Sequence, residues 1–204
     1  MGEREEPAPR PVFYYEETGV RKMKVLVVVD MQKDFVDGSL GTKEAVAIVP
    51  NVVDKILKFD GDVIAVTQDT HHDNYLETQE GKKLPVKHCI KGSEGWMLAP
   101  AITAALSTQT GMVVMDFFHK ETFGSVEMCE WLSELNAEEE SIDEIEVVGL
   151  CTDICVVSNV LMMKAYMPEV PITVDASCCA GVTPESHAAA ITTMKACQIN
   201  VIGE

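Results

Sequence analysis

Apolar positions along the chain alternate between two periods. Short β-branched runs predict strands at Lys24 to Asp30, Val63 to Gln68, Met112 to Asp116, Ile145 to Leu150, Ile172 to Val174 and Asn200 to Ile202. Between them, spacing of 3.6 residues predicts helices at Lys43 to Phe59, Gly95 to Leu106, Ser125 to Leu135, Asp153 to Tyr166 and Pro184 to Cys197. Six strands separated by helices do not pair as hairpins. They predict an α/β fold of three layers, an open sheet of about six parallel strands flanked by helices on both faces. In such sheets the working crevice lies at the carboxyl ends of the strands, beside the point where strand order reverses.

The 204 residues suit one domain with a sizeable core. Residues 1–22 mix prolines with charges and read as a tail, with a short strand at Val12 to Tyr15. Residues 23–204 form the predicted domain. The acidic stretch Glu138 to Glu146 is expected to be a solvated connection before the fourth strand.

Charge narrows the partners. Sixteen Lys and Arg against 33 Asp and Glu leave a net charge of −17, a field that repels phosphate backbones and anionic lipid heads. Neither nucleic acid nor a membrane surface is an expected partner. The N-terminus carries no apolar signal segment and no run is long enough for a membrane span, so a cytoplasmic location is expected. Seven cysteines, an odd number without a C-x-x-C pair, argue against a disulfide framework or a zinc knuckle.

Polar residues at the strand ends carry the candidate chemistry. Asp30 follows five apolar residues, where a lone buried carboxylate is costly unless paired or used. Asp69 and His71 are two apart on an extended backbone and point the same way, and a loop can bring His88 to them. One carboxylate with two imidazoles suits a divalent ion such as Zn, Fe or Mn with open positions; unlinked polar residues on a loop are the alternative. His72 leaves on the opposite side. Lys120 lies just beyond the third strand, where a snorkelling surface role competes with a functional one. Cys155 falls in the first turn of the helix after the fourth strand, where the helix dipole and a neighbouring ammonium favour a thiolate, which makes it the nucleophile candidate. A redox pair of Cys151 with Cys155 is a further alternative.

Asp30 in Asp-Met-Gln-Lys-Asp-Phe, Asp69-Thr-His71, His88-Cys89, Lys120-Glu-Thr-Phe-Gly-Ser and Gly149-Leu-Cys-Thr-Asp-Ile-Cys155, in this order over residues 23–203, resemble the isochorismatase-like cysteine hydrolases and, within them, the nicotinamidase branch. The resemblance implies an Asp-Lys-Cys triad of Asp30 as base, Lys120 as electrostatic partner and Cys155 as nucleophile. It implies a metal site of Asp69, His71 and His88 that holds a pyridine nitrogen. A cis peptide before Cys151 would turn the N–H groups of Cys151 and Cys155 toward an oxyanion. The implied activity is that of a metal-containing cysteine amidohydrolase taking nicotinamide to nicotinate and ammonia through a thioester, with a small-molecule amide as partner and a homo-oligomeric assembly.

The chain departs from the branch in its aromatic residues. Thr70 stands where Trp is common between the metal Asp and His, His72 where Pro is common, and Ile154 where Tyr is common before the nucleophile. Phe35, Trp96 and Phe123 are the candidates to line the pocket beside Thr70 and Ile154. The thinned pocket keeps three alternatives open: an amidase for another small amide or carbamoyl compound, a metal-activated water with an inert Cys155, and a ligand-binding relative without activity.

Overall fold

The computed structural model describes residues 21–109, 113–137 and 140–204. The strands are β1 (Arg21–Val29), β2 (Val63–Asp69), β3 (Val114–Lys120), β4 (Glu140–Leu150), β5 (Ile172–Ala180) and β6 (Asn200–Ile202). The helices are α1 (Lys33–Val36), α2 (Lys43–Lys58), α3 (Gln79–Lys83), α4 (Pro100–Thr108), α5 (Val126–Ala137), α6 (Val157–Tyr166) and α7 (Pro184–Ala196). All the strand pairs are parallel, in the order β3-β2-β1-β4-β5-β6. The order reverses between β1 and β4, so the residues leaving those two strands flank the crevice that the topology creates.

Alternation within the strands separates two cores. Val25, Val27, Val29 and Val147 pack with Met128, Leu132, Val160, Met163 and Met194 of α5, α6 and α7. Leu26, Val28, Ile64 and Val66 pack with Ile48, Val52 and Ile56 of α2 and Ile102 and Leu106 of α4. Each of these aliphatic side chains contributes about 1.5–3 kcal/mol by leaving water, which fixes the register of the sheet and the positions of its polar ends. Gly149 shows how tightly β1 and β4 meet: its φ is 122°, and a Cβ there would lie 2.1 Å from the Val29 carbonyl oxygen.

Four expectations need correction or addition. The predicted helix from Gly95 begins only at Pro100, because Gly95, Met97 and the Ala99 N–H make backbone hydrogen bonds with Asp34, Lys33 and Met31 instead. Strand β3 continues past Asp116 to Lys120, so Lys120 ends a strand rather than following one. The acidic stretch is not a solvated connection from Glu140 onward. It forms the first half of β4, where Lys22 meets Asp143 at 2.9 Å and Lys24 meets Glu144 at 3.6 Å, so alternating lysines on β1 answer the carboxylates. Helices α1 and α3 were too short to leave a periodic signal. The predicted strand at Val12 to Tyr15, Met112 of the third predicted strand, and Glu138 and Glu139 lie outside the described residues. Among the described residues, no helix is long and apolar enough to cross a membrane.

A salt-bridge network ties α2 to the sheet: Lys55 Nζ is 2.6 Å from Glu146 and 2.8 Å from Asp175. Asp175 also accepts from Ser177 Oγ at 2.6 Å. Burial opposes the Lys55 charge, but the two carboxylates overcome it and raise its pKa, while Lys55 and Ser177 lower that of Asp175 against its own burial. The Lys55 contribution is therefore complete below the ordinary lysine value and lost only at higher pH. The Asp175 contribution is complete above the ordinary aspartate value of 3.8 and lost as pH falls through its depressed value. Lys55→Met is expected to cost about 1–2 kcal/mol at neutral pH, because Lys55 and Glu146 keep some contact with water. In urea titrations the difference from wild type should shrink as the pH drops below 3.8; an unchanged gap would mean that the network does not set it.

Candidate active site

The register of the sheet brings the predicted polar residues together. Asp69 and Lys120 are direct partners on β2 and β3, and Asp30 is one residue beyond Val29, which pairs with Thr67 and Gly149. Lys120 Nζ lies 2.7 Å from Asp30 Oδ2, 3.3 Å from Asp69 Oδ1 and 3.4 Å from Cys155 Sγ. All four residues are buried. Only Cys155 and Asp69 of the four line the cavity above; Asp30 and Lys120 are not among its wall residues.

Local structure holds each group in place. Asp30 has φ 47°, an uncommon conformation for a residue with a side chain, and its N–H donates to the Thr67 carbonyl at 3.2 Å. The Thr67 hydroxyl donates to Asp30 Oδ1 at 2.7 Å, while Oδ2 has no well-aligned donor among the described residues and faces the Lys120 ammonium. The Leu150–Cys151 peptide is cis. Cys155 does not sit in an α-helical first turn: Thr152–Val156 is a π-helical turn capped by Cys151, and α6 begins after it. Such turns gather at functional sites. Asn159 clamps this turn. Its Nδ2 donates to the Cys155 carbonyl at 2.8 Å, and its Oδ1 accepts from Ser125 N–H at 2.8 Å.

The electrostatics of the centre set burial against its charges. Burial pushes the Cys155 thiol well above its ordinary value, the Asp30 carboxylate adds to this, and Lys120 opposes it without reversing it. Burial also raises Asp30, with Asp69 adding and Lys120 subtracting, which makes it a stronger proton acceptor than an exposed aspartate. Lys120 is held charged: burial disfavours its ammonium, but Asp30, Cys155 and Asp69 together raise its pKa.

A second cluster adjoins the first through Asp69. One atom each of Asp69, His71 and His88 lies within 4.8 Å of the others, and all three residues are buried. His71 Nε2 is 3.0 Å from Asp69 Oδ2, and His88 Nε2 is 3.5 Å from it. His88 Nδ1 is 2.8 Å from the Val86 carbonyl, which fixes the ring with Nε2 turned inward, the arrangement common to metal-ligating histidines. His71 Nε2 is buried without a well-aligned hydrogen-bond partner among the described residues. Burial works against a charge on His71, but Asp69 and Glu80 outweigh it and hold the imidazole at about 9, so an entering cation has to displace its proton. An orphaned buried nitrogen, a second oriented imidazole and a carboxylate fit a divalent ion.

Three polar residues outside the sequence candidates support this cluster. Glu80 Oε1 of α3 lies 3.5 Å from His71 Nε2 and 3.7 Å from His88 Nε2. The wholly buried Gln32 side chain accepts from Asp69 N–H at 2.7 Å and donates to the Asp69 carbonyl at 2.8 Å, so it clamps the backbone of that residue. Asp34 Oδ2 accepts from Cys89 N–H at 2.8 Å and anchors the segment carrying His88. Gln32 and Asp34 belong to the same motif as Asp30, but only the fold shows what they hold. Glu80 had no signal beyond its acidity.

The candidate pocket residues divide. Phe35, Thr70, Phe123 and Ile154 line a cavity of about 840 Å³ together with Cys151 and Cys155. Trp96 does not line it. Its indole N–H donates to Thr70 Oγ1 at 2.8 Å from behind, because the segment from Gly95 to Ala99 is stitched to residues 31–34 and holds the ring against His119. Tyr75 was not anticipated; its ring lies 4.6 Å from that of His71 and 5.0 Å from that of His88. His72 is exposed, 3.0 Å from Glu121 and apart from the cluster.

The six-stranded parallel sheet, with an Asp, a Lys and a Cys meeting at its reversal point, has the fold of isochorismatase-like hydrolases. The isochorismatase domain profile matches residues 24–203, and the chain belongs to the isochorismatase family. It is 25% identical over 191 residues to the nicotinamidase/pyrazinamidase of Mycobacterium tuberculosis, covering 88% of this chain and 98% of the relative. The pyrazinamidase/nicotinamidase of Streptococcus mutans superposes with a TM-score of 0.74 at 26% identity, over 88% of this chain and 99% of that one. The pyrazinamidase of Pyrococcus horikoshii, solved in complex with zinc, superposes with a TM-score of 0.71 at 23% identity, over 89% and 99%.

Proposed function

We propose that the protein is an amidohydrolase that acts through a Cys155 thioester, with nicotinamide as the first substrate to test. The observation that carries this is the Lys120 ammonium in contact with Asp30, Asp69 and Cys155 at 2.7, 3.3 and 3.4 Å. A buried thiol beside a buried carboxylate of raised basicity is an acid–base couple, and the fixed cation keeps the negative charge of the pair tolerable wherever the proton sits. The relatives named nicotinamidase and pyrazinamidase support the choice of substrate.

The steps conserve atoms and charge. As Cys155 Sγ bonds to the amide carbon, its proton passes to Asp30 and the carbonyl π electrons move to oxygen. The backbone N–H groups of Cys151 and Cys155 are the proposed donors to that oxygen. Collapse breaks the C–N bond, and Asp30 returns its proton to the departing ammonia. Water, deprotonated by Asp30, then adds to the thioester carbon; the C–S bond breaks, the acid is released and Asp30 passes the proton back to the Cys155 sulfur. Asp69, His71 and His88 would hold a divalent ion, Zn, Fe or Mn, which would supply a Lewis-acidic anchor for a ring nitrogen. The zinc in the Pyrococcus horikoshii protein makes zinc the first ion to test.

Two measurements check this. Ammonia release from a panel of nicotinamide, pyrazinamide and benzamide should give turnover on the ring-nitrogen amides; stoichiometric binding without turnover on any would favour a non-catalytic binding protein. In equilibrium dialysis with zinc, the wild type should hold one ion per chain and His88→Ala should not. Glu80→Gln should weaken binding by about 10–100-fold, as loss of a supporting carboxylate does. Retention of full zinc affinity by both variants would place the ion elsewhere.

A further inference from the structure

The cavity above Cys155 is larger than one aromatic ring with a carboxamide needs. Its volume of about 840 Å³ lies toward the top of the ~300–1,000 Å³ range of pockets that enclose drug-sized molecules. Its walls separate by chemistry along the sheet. Every wall residue bearing a carboxylate, an ammonium or an imidazole, from Asp69 through His88 to Glu121, ends β2 or lies in the segments after β2 and β3. The wall beyond Cys155 comes from the end of β4 and the segments after β1, β4 and β5. Its apolar members are Phe35, Leu40, Ala45, Leu150, Ile154 and Val182, with Thr42 and Cys151 as the polar ones beside Cys155. The strand order β3-β2-β1-β4-β5 puts the ends of β4 and β5, with Leu150, Cys151, Ile154 and Val182, across β1 and Asp30 from the ends of β2 and β3, while Phe35 after β1 reaches the charged side, its ring 5.5 Å from that of His88.

We propose that the aliphatic end holds a substituent on the amide nitrogen, so that the protein hydrolyses secondary amides with a small uncharged alkyl group as well as primary ones. This rests on the Cys155 amidohydrolase function above. The carbon attacked by sulfur bears three groups. With the acyl ring toward the Asp69, His71 and His88 end and the oxygen at the Cys151 and Cys155 N–H groups, the nitrogen faces the remaining wall. The step balances as for a primary amide: the C–S bond forms, the C–N bond breaks, the nitrogen leaves with the proton from Asp30 as an alkylamine, and water cleaves the thioester. None of the wall residues at this end is charged, and Asp153, which accepts from the Val182 N–H at 3.1 Å, is not among them, so an ionised group there would lose its hydration with no charged wall residue to pair with. A neutral alkyl group loses nothing and gains burial.

N-propylnicotinamide and nicotinamide test the proposal side by side, with the released propylamine identified by mass spectrometry. Wild-type kcat/KM on the N-propyl amide is expected within about tenfold of that on nicotinamide, and Val182→Trp or Leu40→Trp should lower the ratio of the two by at least tenfold. Calorimetry on Cys155→Ala adds a readout free of turnover: each buried methylene should tighten binding about fourfold, the equivalent of ~0.8 kcal/mol. Hydrolysis of nicotinamide without release of propylamine, or a ratio unmoved by both tryptophans, overturns the proposal and leaves the amidohydrolase function standing. No turnover of either amide overturns both.

Discussion

Cys155→Ala is expected to reduce kcat on the best amide by at least about 10⁴-fold, on the scale seen when a catalytic nucleophile is removed from a triad. Fold and ligand binding should survive, because the change deletes one sulfur from a wall of the cavity and leaves the Lys120 contacts with Asp30 and Asp69 in place. The distinguishing readout is kcat against binding. An inert cysteine beside a metal-activated water would give a variant that keeps its rate. A purely structural cysteine would give one that loses stability, visible in thermal melts, together with activity.

Lys120→Met should be the most destabilising single change in the centre. It leaves the carboxylates of Asp30 and Asp69 buried without their shared cation, and breaking a buried ion pair from one side costs about 3–5 kcal/mol. Part of that cost is relieved if Asp30 takes up a proton, a change its raised pKa already favours. The double variant Lys120→Met with Asp30→Asn is therefore expected to be more stable than Lys120→Met alone, a non-additivity that urea titration reads directly. Additive losses would mean that the two side chains are not coupled as their 2.7 Å contact requires. Both variants should lack activity.

Much of this centre was legible in the chain because a parallel sheet maps sequence onto space with few choices. Once the apolar runs are taken as strands, Asp30, Asp69, Lys120 and Cys155 all lie at or near carboxyl ends, and the order of the strands does the rest. Lys120 shows the limit of that mapping: its strand was expected to end at Asp116, since Phe117, Phe118 and His119 give no alternation that separates an edge strand from a loop. The acidic segment before Val147 reads as a connection for a related reason. Like charges in sequence discourage a strand only until lysines of a neighbouring strand answer them, and those lysines lie more than a hundred residues earlier. Trp96 fell outside the cavity because its direction depends on backbone hydrogen bonds between two loops, a contact that no periodicity encodes. The setting of Cys155 was hidden as well: a helix start and a nearby lysine favour a thiolate, and only the fold shows the burial and the Asp30 carboxylate that work against one.

Rapid quenching in acid during the first turnover of nicotinamide, followed by peptide mass mapping, tests the central claim most directly. The account predicts a nicotinoyl group on the peptide containing Cys155, accumulating and decaying at rates that match steady-state turnover. Ammonia released in step with enzyme concentration from a protein whose Cys155 peptide never carries the acyl group would contradict it.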